Sequence, residues 1–272
     1  MKKHQWHSNS KQKQTVMMLH GTASNAKQWS QLSAELNQQY SVYAPEIPGY
    51  RKKQIETPQD FQSLDLRVKP LLDLLDSISE QIHLIGHSFG GLVALRLGEL
   101  RPDKVLSISI FEPTVIGVFK GCTEPTDLAL ASEVKNLAEV VKHSSPEVAM
   151  ESFINFWHGT KQWSNIPKSI QNKLCQYADI AAVDFQNGQE DLYQPQPHQH
   201  FQGHVNVIFG GETVPLAKRI ATKLGQNLPN AKVFELDGLG HMGPITHAQE
   251  FNNAIGDILR RMSKPVFSEM LV

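Results

Sequence analysis

The segment Gly86-His87-Ser88-Phe89-Gly90-Gly91 constrains this chain more than any other. It is a G-x-S-x-G turn, preceded by the apolar run Ile82-His83-Leu84-Ile85 and followed by an apolar stretch of helical character at 89–100. A strand that bends straight into a helix holds its turn residue in a strained backbone, where neighbouring side chains would collide with it. Gly86 and Gly90 remove those collisions. The bend lifts the Ser88 hydroxyl into a cleft and aims the first N–H groups of the helix at developing negative charge. Ser88 is therefore the candidate nucleophile. A glycine-rich turn with an incidental serine is the competing reading, and it leaves the flanking strand and helix unexplained.

The rest of the chain supplies the frame for such a bend. Short apolar runs at 15–19, 41–44, 82–85, 105–111, 205–209 and 232–236 read as strands. Between them, residues 26–38, 89–100 and 216–228 read as helices. A further helix carries Phe251, Ile255, Ile258, Leu259 and Met262 on one face. Leu64, Val68, Leu71, Leu72, Leu75 and Ile78 also share a helical face, with a kink or restart expected at Pro70. Alternating strands and helices predict an α/β fold: a mostly parallel sheet with helices on both faces. The alternation breaks between 114 and 203, where 128–142, 146–157 and 167–178 read as helices. This predicts a core of residues 1–113 and 204–272, carrying an inserted helical cap of residues 114–203 on the C-terminal edge of the sheet.

Composition narrows the function. The chain has 272 residues and a formal charge of −1, so it has no field suited to a phosphate backbone and no nucleic-acid partner is expected. No apolar run approaches the ~20 residues that cross a bilayer, so no stable membrane insertion is expected. The polar, basic start of the chain (Lys2, Lys3, Lys11, Lys13) has no apolar stretch of signal-peptide type. Two cysteines, Cys122 and Cys175, make neither a disulfide framework nor a thiolate metal cage. A cytoplasmic protein without cofactor or metal is the expectation.

A serine hydroxyl is a poor nucleophile near neutral pH and needs a base. Of the 12 histidines, His241 in Asp237-Gly-Leu-Gly240-His241-Met242-Gly243 follows the last predicted strand, and its loop belongs at the same sheet edge as Ser88. His4 and His7 sit in the tail. His83 lies within a strand and reads as structural, and His87 should point away from the nucleophile. The histidine-rich stretch His198, His200, His204 lacks a carboxylate pattern and reads as a loop. An oxyanion site needs two backbone donors. The N–H of Phe89 is one, and the loop His20-Gly21-Thr22-Ala23 after the first strand offers the other at Thr22.

Taken in order, HGTASNAKQW, the EIPGY turn, IHLIGHSFGGLVALRLGELRPDKV and LGHMGPITH resemble the α/β-hydrolase family. The resemblance covers the chain outside the predicted cap. It implies Ser88 as nucleophile, His241 as base, and Thr22 and Phe89 as oxyanion donors. It also implies a sheet of up to eight strands; the short N-terminus predicts fewer here. Many members carry the triad acid as an aspartate after the strand equivalent to 205–209. Here that turn reads Gly210-Gly211-Glu212-Thr213, with Thr213 at the expected position and Glu212 one place early. Glu112, at the end of the strand 105–111, is a better-placed acid, and Glu212 is the alternative. A glutamate-proline pair, a G-E-x turn and an F-x-x-F/Y-W-x-G segment like Phe153-Ile-Asn-Phe156-Trp157-His-Gly159 also resemble a subgroup of hydrolases.

The expected activity is cleavage of an ester-like acyl bond in a small-molecule substrate through a serine acyl-enzyme. Serine at the bend disfavours the dehalogenase and epoxide-hydrolase chemistry that uses aspartate there. Phe153, Phe156 and Trp157 share a helical face, either as cap core or as the lining of a pocket for an apolar acyl group. C–C bond cleavage, thioester hydrolysis and lyase or perhydrolase chemistry on the same triad are alternatives. So is a non-catalytic ligand-binding protein that has kept the fold.

Overall fold

Among the described residues six strands form one parallel sheet in the order β2-β1-β3-β4-β5-β6. The computed structural model describes residues 13–50, 58–159, 161–189, 201 and 203–262. The strands are β1 Thr15–Leu19, β2 Ser41–Tyr43, β3 Ile82–His87, β4 Val105–Phe111, β5 His204–Gly210 and β6 Ala231–Leu236. The helices are α1 Ser30–Leu36, α2 Leu64–Ser77, α3 Phe89–Leu100, α4 Pro125–His143, α5 Pro146–His158, α6 Gln162–Asn165, α7 Lys168–Cys175, α8 Ala178–Gln189, α9 Pro215–Asn227, α10 Gly243–Thr246 and α11 Ala248–Met262. Three of the predicted elements differ in more than their end residues. Residues 26–38 divide into a 3-10 turn, Ala26–Trp29, and α1. The single helix expected at 167–178 divides into α7 and the start of α8. α2 runs through Pro70 without a restart. Leu64, Val68, Leu71 and Leu75 are buried on both sides of the proline and hold the two halves in one line.

Both faces of the sheet are covered. The alternation of the strand sends Val16 and Met18 to one side and Met17 and Leu19 to the other. Val16, Met18, Ile85, Phe111 and Ile208 pack with Trp29 and Leu32, and with Phe251, Ile255 and Leu259 of α11. Met17, Leu19, Leu84 and Ile110 pack with α2, α3 and α9. The strand order places β1 and β3 side by side although β2 lies between them in sequence, with Leu19 opposite Gly86. The chain winds outward from this point in both directions, and an open parallel sheet has its crevice at such a switch, outside the C-terminal ends of the strands.

Helices α4 to α8 lie between β4 and β5 in sequence. Asp127 of α4 is fully buried and takes Arg219 Nε at 2.6 Å and Lys223 Nζ at 2.7 Å from α9. Those two cations hold its carboxyl well below the usual carboxylate range. Ile180 of α8 covers Gly49, where a Cβ would meet Ile180 Cδ1 at 2.8 Å. Among the described residues no helix is long and apolar enough to cross a membrane. Also among them, no cluster of three or more His, Cys, Asp or Glu side chains could hold a metal. Residues 1–12, with His4 and His7, and the histidines His198 and His200 lie outside the described residues.

Candidate active site

Ser88 sits between β3 and α3 at φ 53°, ψ −120°, in the left-handed half of backbone space that L-residues avoid. The bend is held by close backbone approach. A Cβ on Gly86 would lie 2.4 Å from the Gly90 carbonyl oxygen, and one on Gly90 would lie 2.2 Å from that of Leu19. The Ser88 N–H donates to the Phe111 carbonyl at 2.9 Å, which ties the bend to the end of β4.

His241 comes from the loop between β6 and α10. Its Nε2 is 3.2 Å from Ser88 Oγ and its Nδ1 is 2.7 Å from Glu112 Oε2. All three residues are buried. The carboxylate fixes the tautomer: Nδ1–H donates to Glu112, leaving the Nε2 lone pair for the serine hydroxyl. Glu112 directly follows β4, itself at φ 45°. Its N–H donates to the Ile208 carbonyl at 2.8 Å, and its carboxylate accepts the Gly210 N–H at 2.8 Å and the Thr213 hydroxyl at 2.6 Å. Thr213, which stands where an aspartate was expected, thus donates to the carboxylate on the neighbouring strand. The Glu212 side chain is exposed. Such a relay can remove a proton from the serine hydroxyl and stabilise the imidazolium that forms.

His87 differs from expectation. Instead of pointing away from Ser88 it lines the same cleft, its ring centroid 5.1 Å from that of His241. The loop carrying His241 crosses directly over the end of β3 and gives the ring a partner. His87 Nε2–H donates to the His241 carbonyl at 2.8 Å, and its Nδ1 accepts from the Gln28 amide at 3.0 Å. Burial pushes this imidazole well below the ordinary histidine range, and the neighbouring His241 adds to the effect. Gln28 Oε1 in turn accepts the Gly21 N–H at 3.3 Å and the Ser24 hydroxyl at 2.9 Å. One chain of hydrogen bonds therefore runs from the loop after β1 to the loop of the base. His83 is buried within β3, 2.7 Å from Ser107 Oγ, and burial lowers it to about 4.

The cleft above Ser88 and His241 has a volume of about 190 Å³. Phe153, Ile154, Ile166, Leu174, Met242 and Ile245 make its apolar walls, and among the described residues no Lys, Arg, Asp or Glu lines it. Phe153 faces the cleft. Trp157 stacks on His241 with ring centroids 4.5 Å apart and an interplanar angle of 25°. Phe156 is half-buried and packs edge-on against Trp157. Thr22 lines the cleft, and Phe89 is the first residue of α3. His158, which the sequence did not single out, also lines the cleft; burial lowers it to about 3, so it stands there as neutral imidazole.

Known proteins resemble this chain in sequence and fold. Among curated relatives, lipase LipV of Mycobacterium tuberculosis is 30% identical over 118 residues, which cover 43% of this chain and 44% of that protein. The chain thus aligns with less than half of that lipase. The 2-hydroxymuconate semialdehyde hydrolase of Pseudomonas sp. (strain CF600) is 24% identical over 261 residues, covering 90% of this chain and 86% of that protein. Among solved structures, a thermophilic esterase from Thermogutta terrifontis superposes with a TM-score of 0.70 at 18% identity, covering 93% of this chain and 92% of its own. The family model described as alpha/beta hydrolase family spans residues 16–254, and this chain is a hydrolase belonging to that family.

Proposed function

We propose that this chain is a serine hydrolase that cleaves an ester-like acyl bond of a small-to-medium, apolar substrate through an acyl-enzyme. The observation that carries the reading is the unbroken relay from Ser88 Oγ through His241 to Glu112 beneath an apolar cleft. Ser88 attacks the acyl carbon while His241 Nε2 takes its proton. The tetrahedral oxyanion is met by the N–H groups of Phe89 and Thr22. His241 then returns the proton to the leaving alkoxide, giving acyl-Ser88 and free alcohol. Water, deprotonated by the same nitrogen, attacks acyl-Ser88, and His241 returns that proton to Ser88 Oγ as the acid leaves. Glu112 keeps the imidazole in the productive tautomer and stabilises the imidazolium.

In this reading residues 1–113 and 204–272 form the catalytic core and residues 114–203 a cap that shapes the acyl pocket. Phe153 and Trp157 contact the substrate side of the site, and Phe156 supports Trp157. An uncharged lining favours a neutral acyl group, because a buried unpaired charge costs several kcal/mol. The free thiols Cys122 and Cys175 suit the reducing cytoplasm. The test is a panel of p-nitrophenyl esters, thioesters and dienoates. Activity on the esters should rise steeply from acetate towards medium chains, and preference for a charged acyl group would contradict it. The match to a semialdehyde hydrolase over 90% of the chain supports a second reading, C–C bond hydrolysis on the same relay. Turnover of the dienoates above that of every ester would favour it.

A further inference from the structure

The turn after β1 is strained and held from two sides. Ala23, next to Thr22, has φ 55°, and the Ser24 N–H closes back on the Gly21 carbonyl at 3.3 Å. A non-glycine residue in that region persists where its surroundings over-determine it. Gln28 holds the turn from the core side. From the other side comes Asp184 of α8, across a sequence separation of 162 residues: its Oδ2 accepts the Thr22 hydroxyl at 2.6 Å.

Asp184 is unusual for its position. Its side chain is 4% exposed and it faces Arg67 of α2, whose side chain is fully buried, at 2.8 Å. The Tyr50 hydroxyl donates to the same Oδ2 at 2.6 Å. The Arg67 guanidinium is enclosed by the rings of Phe89, Phe61 and Tyr50, at 4.6, 5.3 and 5.6 Å. Phe89 is the residue directly after Ser88. Burial holds the Asp184 carboxyl above the usual carboxylate range, and Arg67 with the two hydroxyls offsets only part of that rise. A buried ion pair is expensive and is weak ground for stability in itself. Here it fixes the position of one oxygen that two hydroxyls share. Asp184 lines a small cavity of about 10 Å³, and Thr22 and Phe153 line both this cavity and the cleft. The α8 helix is anchored further by the side-chain amides of Gln186 and Asn187, which donate to the Gln62 carbonyl at 3.2 and 3.1 Å.

We propose that Asp184 is a positioning residue for the oxyanion site: through the Thr22 hydroxyl, the helical insertion sets the backbone N–H of Thr22 in the place where negative charge develops. The inference rests on the hydrolytic reading above. It makes seating of α8 on the core a condition for fast acyl transfer. It also assigns the Thr22 side chain a duty separate from that of its backbone.

Thr22→Val tests this, because it keeps the shape and removes the bond to Asp184; Thr22→Ser keeps the hydroxyl. On p-nitrophenyl butyrate, Thr22→Val should lower kcat by ~10- to 100-fold, a part of the ~10²–10³-fold cost of losing an oxyanion donor outright. KM should stay within about threefold, since the loss falls on the transition state. The Ki of an alkyl trifluoromethyl ketone, which forms a tetrahedral adduct on the serine, should weaken in step with kcat. Thr22→Ser should restore both. Asp184→Asn should move the same two quantities, and if that variant does not fold, the Thr22 pair decides. A purely structural bond would lower the melting temperature without separating kcat from KM. Wild-type kcat in Thr22→Val, or a loss confined to KM, overturns the inference while leaving the hydrolytic reading intact. A wild-type chain that a fluorophosphonate does not label at Ser88 overturns both.

Discussion

The indole of Trp157 lies flat against the imidazole of His241, with centroids 4.5 Å apart and planes 25° from parallel. A residue of the helical insertion thus roofs the base contributed by the core. When His241 becomes imidazolium during acyl transfer, the π-face of the indole attracts the new charge, an effect of ~0.5–2 kcal/mol. Trp157→Leu should therefore lower kcat by ~2- to 30-fold with little change in KM. Trp157→Phe, which keeps an aromatic face, should recover most of the loss. Steady-state kinetics on a medium-chain p-nitrophenyl ester measures both, and wild-type kcat in Trp157→Leu would contradict the assignment.

Glu112 and Glu212 are separated by one substitution each. Glu112→Gln puts an amide against His241 Nδ1 and favours the tautomer whose Nε2 already carries a proton. The expected loss in kcat is on the order of 10³–10⁴-fold. Glu212→Gln, at an exposed side chain, should leave kcat within about twofold. The reverse pattern would transfer the acid to Glu212.

Stability should fall on mild acidification for a reason that resides in β3. Burial lowers His83 to about 4, against an ordinary histidine value near 6.5. Between these two pH values the unfolded chain binds a proton at this position and the folded chain does not, so stability rises with pH across that window. The contribution is fully present above about pH 6.5 and lost as pH falls to about 4, about 3 kcal/mol in all. His87, shifted in the same direction by burial, steepens the slope. Urea unfolding at stepped pH should show this decline, and His83→Leu should flatten part of it. An unchanged slope in His83→Leu would contradict the assignment.

The sheet and the bend were legible in the sequence because their signals are local. The apolar runs of β1 and β4 and the helix α3 have the bounds their hydrophobic patterns predict. Glu112 was reachable because a carboxylate at a strand end has its location fixed by the sheet. The contribution of α8 was not legible. Asp179, Gln186 and Gln189 form its outer stripe, but Asp184 and Asn187 are buried on the opposite face, so polarity along the helix does not separate the surface side from the core side. Its acid is an internal charge whose partners come from three distant segments. One signal did exist: Arg67 stands on the face of α2 that carries Leu64, Val68, Leu71 and Leu75, where a cation implies a buried partner. The orientation of His87 was not legible, because its partner is the backbone of a loop far away in sequence, which no spacing rule reaches.

The central claim is an activated serine, and labelling by a fluorophosphonate probe followed by peptide mass analysis tests it most directly. The adduct should lie on Ser88, vanish in Ser88→Ala and form on the order of 10³-fold more slowly in His241→Ala. No adduct on the wild-type chain, or an adduct that persists in Ser88→Ala, would contradict the hydrolytic account.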